Sequence, residues 1–217
     1  MSFALVLAGG DPPDRQLLEE AKDAEIVIAA DCGVKIARTH GLSIDLVVGD
    51  LDSVSTGDVA WAEAEGAEIV RVPEDKDFTD LELALEQAGL ADVHRILVLG
   101  VEGGRIDHEL GNWAVLCAPR GQLVEIETLG GTVTVLHGDL INKVEITGEP
   151  GDLVSILAKN GEAGGVTTTG LRWPLDDATL LPTSSLGVSN EMVDGEASIT
   201  VRSGTLLVAR PKTPTDA

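Results

Sequence analysis

The chain lacks any stretch near the roughly eighteen uninterrupted apolar residues that a membrane-spanning helix requires. Its opening, MSFALVLAGGD, has neither a basic leader nor an apolar segment long enough for export, so a cytoplasmic protein is expected. Cysteine is scarce. Cys32 and Cys117 form no CxxC pair and no zinc-like spacing, and free thiols in a reducing compartment are expected. Basic residues are few, 15 against 37 acidic, and the formal charge of −22 opposes contact with nucleic acid or an anionic membrane. Outside particular clusters the acids read as a solvated surface that suits high salt. Aromatic side chains are rare too, with no tyrosine, two phenylalanines and three tryptophans. Three functional signatures are missing: no GxxxxGK[ST] loop, no GxGxxG after a strand and no GxSxG elbow.

What is present falls into two patterns. In the first half, apolar runs at 3–8, 25–30, 45–49, 68–72, 95–100 and 123–127 alternate with helical segments near 14–22, 33–40, 56–65, 78–89 and 105–117. Near-continuous Val/Ile/Leu strands separated by helices predict a Rossmann-like parallel sheet flanked by helices, an α/β domain over 1–127. Leu81, Ala84, Leu85 and Ala88 carry the helical period of the 78–89 segment. From about 128 the pattern changes to short alternating runs punctuated by Gly, Asn and Asp: TVTVLH, NKVEIT, DLVSIL, GVTTTG, ASITVR and TLLVA. These predict an all-β sandwich or barrel domain over 128–210, followed by a flexible tail at 211–217.

Ligands of an open parallel sheet bind at the carboxyl ends of its strands. Aspartates gather there. Asp31 follows the second run, Asp50 and Asp52 the third, and Asp75, Asp77 and Asp80 the fourth, while the glycine-rich GVEGGRIDHE follows the fifth and Gly9 and Gly10 the first. Singly, each Asp reads equally as a helix cap or turn former, as Asp77 would before a helix from Phe78. Together they would repel one another without a cation. Hard oxygen donors select Mg²⁺ or Mn²⁺, and Mg²⁺ typically takes only about one or two carboxylates plus substrate phosphates. Lys76 and Arg105 add positive charge, and the combination points to phosphoryl or pyrophosphoryl transfer. His40, His94 and His137 stand alone as surface or packing residues, whereas His108 is placed near the cleft.

AADCG, VVGDLDS, DKDFTDLELAL and GGRIDHELGN occur in this order, followed by TTGLRWPL and GVSNE in the β region. In these motifs the chain resembles the thiamine pyrophosphokinases over nearly its whole length. The resemblance implies a homodimer whose α/β domain binds ATP and metal and whose β domain helps form the thiamine pocket. It implies transfer of the terminal pyrophosphoryl group of ATP, as co-substrate, to the hydroxyl of thiamine, releasing AMP. By the same resemblance Asp50, Asp52 and Asp80 are metal ligands, and Asp31 and Asp107 are supporting catalytic acids. Gly10, Lys76, Asp77, Thr79, Arg105 and His108 are expected at the nucleotide. Trp173 is expected to stack on the substrate, and Ser189 with Asn190 to line that pocket. Cys32 departs from the glycine or serine common after the first Asp.

Thiamine's positive charge and rings suit an acidic cleft with an indole face, through Coulomb and cation–π attraction. Trp173 sits in a Thr/Gly/Pro-rich loop and also reads as packing, which is the expectation for Trp61 and Trp113. Two other readings stay open: a related pyrophosphokinase acting on another alcohol such as a pterin, and an acidic Ca²⁺-binding interaction module. The module reading lacks the D-x-D-x-D-G loop with its downstream Glu.

Overall fold

The structure is a computed structural model, and it describes residues 2–12, 18–19 and 21–212. By contacts the chain divides into two compact units, Met1–Leu116 with Ile126–Leu129, and Cys117–Glu125 with Gly130–Ala217.

In the first unit β1 (Phe3–Leu7), β2 (Ile26–Ala30), β3 (Leu46–Gly49), β4 (Glu68–Arg71) and β5 (Arg95–Leu99) are all paired parallel, in the order β4-β3-β2-β1-β5. Between them lie helices α1 (Gly33–His40), α2 (Thr56–Glu65) and α3 (Asp80–Leu90), with α4 (Ile106–Leu116) after β5. Successive strand side chains face opposite sides of a sheet. Leu5, Leu7, Val27, Ala29 and Val47 accordingly join one core with α1 and α2. Ala4, Val6, Ile28, Ile96 and Val98 are just as buried on the other side, where α3 brings Leu81, Ala84, Leu85 and Ala88. A sheet apolar on both faces explains the unbroken hydrophobic runs. Ser55 caps α2 by accepting from Asp58 N at 3.1 Å, and α1 and α2 end at Gly41 and Gly66 in left-handed conformation.

The helix expected near 14–22 lies largely outside the described residues, and a 3₁₀ turn, Ala21–Asp23, occupies its end. The helix expected from 78 starts instead at Asp80. Thr79 rather than Asp77 is its cap, accepting from Glu82 N at 3.2 Å. Trp61 packs against the first core as expected.

β6 (Leu123–Thr128) leads to the second pattern, β7 (Gly131–His137), β8 (Lys143–Thr147), β9 (Leu153–Thr169), β10 (Ala178–Leu180), β11 (Asn190–Glu191), β12 (Glu196–Thr200) and β13 (Ser203–Pro211). From β7 onward all pairings are antiparallel, in the order β7-β13-β9-β12-β8 with β10 and β11 also on β9. DLVSIL and GVTTTG are therefore one strand rather than two. β9 pairs with β13 through Ser155–Lys159 and with β12 through Thr167–Thr169, and it bends between them at Asn160 and Gly165, both with positive φ. The strands enclose a core that includes Leu136, Ile146, Ile156, Val166, Ile199 and Leu206. β13 runs to Pro211, into the stretch expected as a tail, and 213–217 lie outside the described residues. Among the described residues no helix is long and apolar enough to cross a membrane, and Cys32 and Cys117 are free thiols.

Candidate active site

The order β4-β3-β2-β1-β5 reverses its direction of growth at β1, which leaves a crevice beyond the carboxyl ends of β1, β2 and β5. A cavity of about 460 Å³ lies there, lined by Gly9 and Gly10 after β1, Asp31 and Cys32 after β2, and Gly103, Gly104 and Arg105 after β5. Lys76, Thr79 and Asp80 close another side, and Asp107, His108 and Asn112 of α4 complete it. This volume suits a small-molecule ligand. Gly10 is dictated by close approach. Its N–H donates to Gly100 O at 2.8 Å, and a Cβ there would lie 2.1 Å from Glu102 O.

The turn after β3 aims the acids. Leu51, between Asp50 and Asp52, has φ +62, a region that a branched side chain enters at a cost of order 1–3 kcal/mol. Its side chain is 6% exposed and belongs to the first core, so burial holds the strained turn in place. Asp31 has φ +43 and is tethered by its N–H to Val48 O and by the Ser53 hydroxyl, which donates to its Oδ2. As a result one carboxylate oxygen from each of Asp31, Asp50 and Asp52 falls within 4.8 Å of the others.

Lys76 organises the rest. Its Nζ lies 2.8 Å from Asp50 Oδ2 and 3.3 Å from Asp80 Oδ1. The hydrogen bond from Lys76 holds the Asp50 pKa below its ordinary value. Burial pushes the Asp80 pKa up despite the nearby ammonium. Burial also works against the Lys76 charge, but the two carboxylates outweigh it and keep the lysine pKa raised. Asp31 Oδ1 is buried with no hydrogen-bond partner, whereas the buried Asp80 Oδ1 has the Lys76 ammonium at 3.3 Å. An orphaned acceptor on one member of a cluster of hard oxygens fits a divalent cation such as Mg²⁺.

Arg105 and Asp107 form an exposed ion pair, Nη2 to Oδ2 at 2.5 Å, and the guanidinium lowers the Asp107 pKa to about 2. Thr79 lines the cavity while capping α3, so its hydroxyl stands at a helix N-terminus, where anions are favoured. Asp75 and Asp77 are exposed and outside the cavity lining.

The sequence reading did not single out Ser53, Phe78 or Asn112. Asn112 Nδ2 donates to Val101 O at 3.0 Å and ties α4 to the loop after β5. Phe78 lines the cavity at 51% exposure. Its signal was an aromatic inside DKDFTD in a chain with two phenylalanines.

In the second unit Trp173 is 52% exposed, with the Arg172 guanidinium 4.8 Å from its ring centroid. Asn190 is buried, and its side chain is engaged with the Trp173 main chain. Its Oδ1 accepts from Trp173 N at 3.0 Å, and its Nδ2 donates to Trp173 O at 2.7 Å. Ser189 is exposed at φ +56 with its N–H donating to Ser155 Oγ. Asn190 thus holds the tryptophan's backbone, while Ser189 and Trp173 present the surface.

Comparison with known proteins adds independent observations. Residues 17–128 match the family model "Thiamin pyrophosphokinase, catalytic domain", and 142–206 match "Thiamin pyrophosphokinase, vitamin B1 binding domain". The chain is 31% identical over 169 residues to thiamine pyrophosphokinase 1 of rice, covering 72% of this chain and 62% of that relative. It is 26% identical over 193 residues to the thiamine pyrophosphokinase of Bacillus subtilis, covering 84% and 86%. The crystal structure of thiamine pyrophosphokinase from Bacillus subtilis shares the fold, with a TM-score of 0.82 at 24% identity over 98% of this chain and 100% of that one. The structure from Candida albicans does so at 0.79 and 15%, covering 97% and 90%. The acids of the crevice fall inside the first matched span and the Asn190-braced tryptophan inside the second, and the chain belongs to the thiamine pyrophosphokinase family.

Proposed function

We propose that this chain transfers a pyrophosphoryl group from ATP to the hydroxyl of thiamine, in a reaction that depends on Mg²⁺ or Mn²⁺. The observation that carries the reading is the cluster of Asp31, Asp50 and Asp52 carboxylates, of which Asp31 lines the cavity together with Lys76, Asp80 and Arg105. In the balanced reaction the thiamine oxygen forms a bond to the β-phosphorus of ATP. The bond from that phosphorus to the bridging α,β oxygen breaks, AMP leaves with the electron pair, and the hydroxyl proton goes to a carboxylate or to water.

Such a transfer needs positioning and charge neutralisation more than covalent help. Asp50, Asp52 and Asp80, with Asp31 beside them, would hold the divalent ion, which would supply charge compensation to the polyphosphate. Lys76 and Arg105 face the phosphates, the Thr79 hydroxyl can donate to one of them, and Gly10 lets the chain approach without a side chain. Asp107, held at about 2 by Arg105, fits a fixed charge that orients the guanidinium better than a proton acceptor. His108 and exposed Phe78 stand where a nucleoside would lie, whereas Asp77 is outside the lining and contributes only charge. Trp173 offers its indole to the thiamine rings, with Ser189 beside it and Asn190 fixing the loop. A homodimer is part of the proposal, through the family resemblance.

Incubation of the purified chain with ATP, Mg²⁺ and thiamine should yield AMP and thiamine diphosphate in equal amounts. Formation of ADP, or turnover only with a pterin alcohol in place of thiamine, would overturn the assignment. Tight Ca²⁺ binding indifferent to ATP, with no turnover, would instead support the interaction module.

A further inference from the structure

We propose that Arg172 is a positioning residue for the thiamine rings: its guanidinium covers one face of the Trp173 indole and, anchored on Glu191, holds the other face ready for the substrate. This rests on the reading of Trp173 as the residue that stacks on thiamine. The backbone beneath the ring is fixed by β11 and the residue after it. Leu171 pairs with Met192 in an antiparallel bridge, Arg172 N donates to Glu191 O at 2.8 Å, and the Asn190 amide holds the Trp173 main chain. None of these bonds reaches the indole. The side chain is 52% exposed, and exposed side chains hop freely between rotamers unless something holds them.

The guanidinium supplies that constraint. Arg172 Cζ lies over the ring, 4.8 Å from its centroid, and Nη1 is bound to Glu191 Oε2 at 2.7 Å. A planar cation over an indole is attracted by the negative face of the ring. Carboxylate and ring thus grip the guanidinium together, and the grip closes one face of the indole to any ligand. A substrate ring stacks on the opposite face.

Two roles for Arg172 predict effects of opposite sign. As a bare charge it would repel cationic thiamine, and its loss would tighten binding. Glu191 offsets that charge at 2.7 Å, at a surface where salt screens the remainder. Preorganisation of the ring is then the larger effect, and loss of Arg172 weakens binding.

The test is a double-mutant cycle on the full chain, read by steady-state kinetics with Mg²⁺ and by acrylamide quenching of Trp173 fluorescence. The Trp173 signal is the difference between each chain and its Trp173→Phe counterpart. Arg172→Ala should raise the thiamine KM about two- to fivefold, with kcat and the ATP KM unchanged. In a Trp173→Ala background the same substitution should add nothing, because Arg172 acts through the ring. Glu191→Gln should move the KM the same way by less, and Arg172→Lys should recover part of the loss. Arg172→Ala should also make Trp173 of the ligand-free chain more readily quenched. Circular dichroism melts establish that each variant is folded. A thiamine KM that falls or stays unchanged in Arg172→Ala overturns the proposal, and so does a full effect of Arg172→Ala in the absence of the indole. A wild type that makes no thiamine diphosphate, or a Trp173→Ala chain with unchanged thiamine KM, refutes the substrate reading instead. Quenching of the ligand-free chain then still decides whether Arg172 holds the indole, and unchanged quenching overturns the clamp.

Discussion

Asp52 is the most exposed member of the carboxylate cluster, and its main-chain N–H donates to Asp50 Oδ1 at 3.2 Å. Replacing it by Asn removes one negative charge with little change of shape. Turnover should fall by about a hundredfold or more, as charge stabilisation at the transferred group is usually the largest catalytic contribution. Steady-state AMP release at saturating Mg²⁺ measures this, and a near-normal rate there would exclude Asp52 from the ion's ligands. At Trp173 the expectation divides differently. Trp173→Ala should raise the thiamine KM and leave the ATP KM alone. Asn190→Ala should do the same with the indole intact, because the buried amide holds the loop. It should also cost about 1–3 kcal/mol of stability from the unpaired main-chain groups, seen as a lower urea midpoint. Damage to both substrates equally would make Asn190 a general packing residue.

His137 gives a residue-scale expectation of another kind. It is 5% exposed, with Nδ1 3.1 Å from Thr205 Oγ1, and burial depresses its pKa below the ordinary 6.5, with Arg120 adding repulsion. The unfolded chain therefore binds a proton here at a pH where the folded chain does not. The stabilisation from keeping this imidazole neutral is fully present above pH 6.5 and is lost as pH falls from there through the depressed folded value. Urea midpoints taken between pH 7.5 and 5 should decline, with a slope from this group of at most about 1.36 kcal/mol per pH unit. His137→Phe should flatten that decline. An unchanged slope would assign the acid sensitivity elsewhere.

At the scale of elements, Thr79 joins fold to chemistry: it caps α3 and lines the cavity. Thr79→Ala should cost about 1 kcal/mol as a lost cap and weaken ATP binding, while Thr79→Ser should restore both. Loss of stability without loss of ATP affinity, by melting and nucleotide titration, would leave it a cap alone. The elements were largely legible because their signals are periodic. α1 and α2 match 33–40 and 56–65, and β1 to β5 match within a residue at each end; β1, β2, β3 and β5 are parallel strands buried on both faces, which gives unbroken apolar runs, whereas β4 is a more exposed edge strand. Two failures have physical causes. β9 was read as two strands because Asn160, Gly161, Gly164 and Gly165 look like turn residues, whereas here they bend one strand between two partners. β10 and β11 are too short to carry an alternation. The acids of the site were legible as a group, since each follows an apolar run. Their local geometry was not: the positive φ of Leu51 and the Lys76 ammonium between Asp50 and Asp80 are not visible in residue order.

At the scale of the whole molecule the dominant fact is charge. With 37 acidic and 15 basic residues, even complete pairing would leave 22 acids without a basic partner. The ion pairs that do form are largely exposed, as in Arg38 with Asp58, Lys143 with Glu145 and Arg202 with Asp177, where at least one partner is 47% or more accessible. Exposed pairs contribute about 0–1 kcal/mol each. Self-repulsion among the surplus acids acts over longer range, and it is what salt screens: the Debye length shortens from about 30 Å at 0.01 M to about 8 Å at 0.15 M. Net charge far from zero destabilises the compact state. Raising KCl from 0.01 M to 0.5 M should therefore increase Tm, by about 2–4 °C for each kcal/mol of repulsion removed in a chain of this size. A chelator must be present throughout, so that no divalent ion at Asp31, Asp50 and Asp52 contributes. If Tm fell with KCl, attraction within the ion pairs would outweigh repulsion among the acids, and the surplus charge would have to be compensated inside the fold.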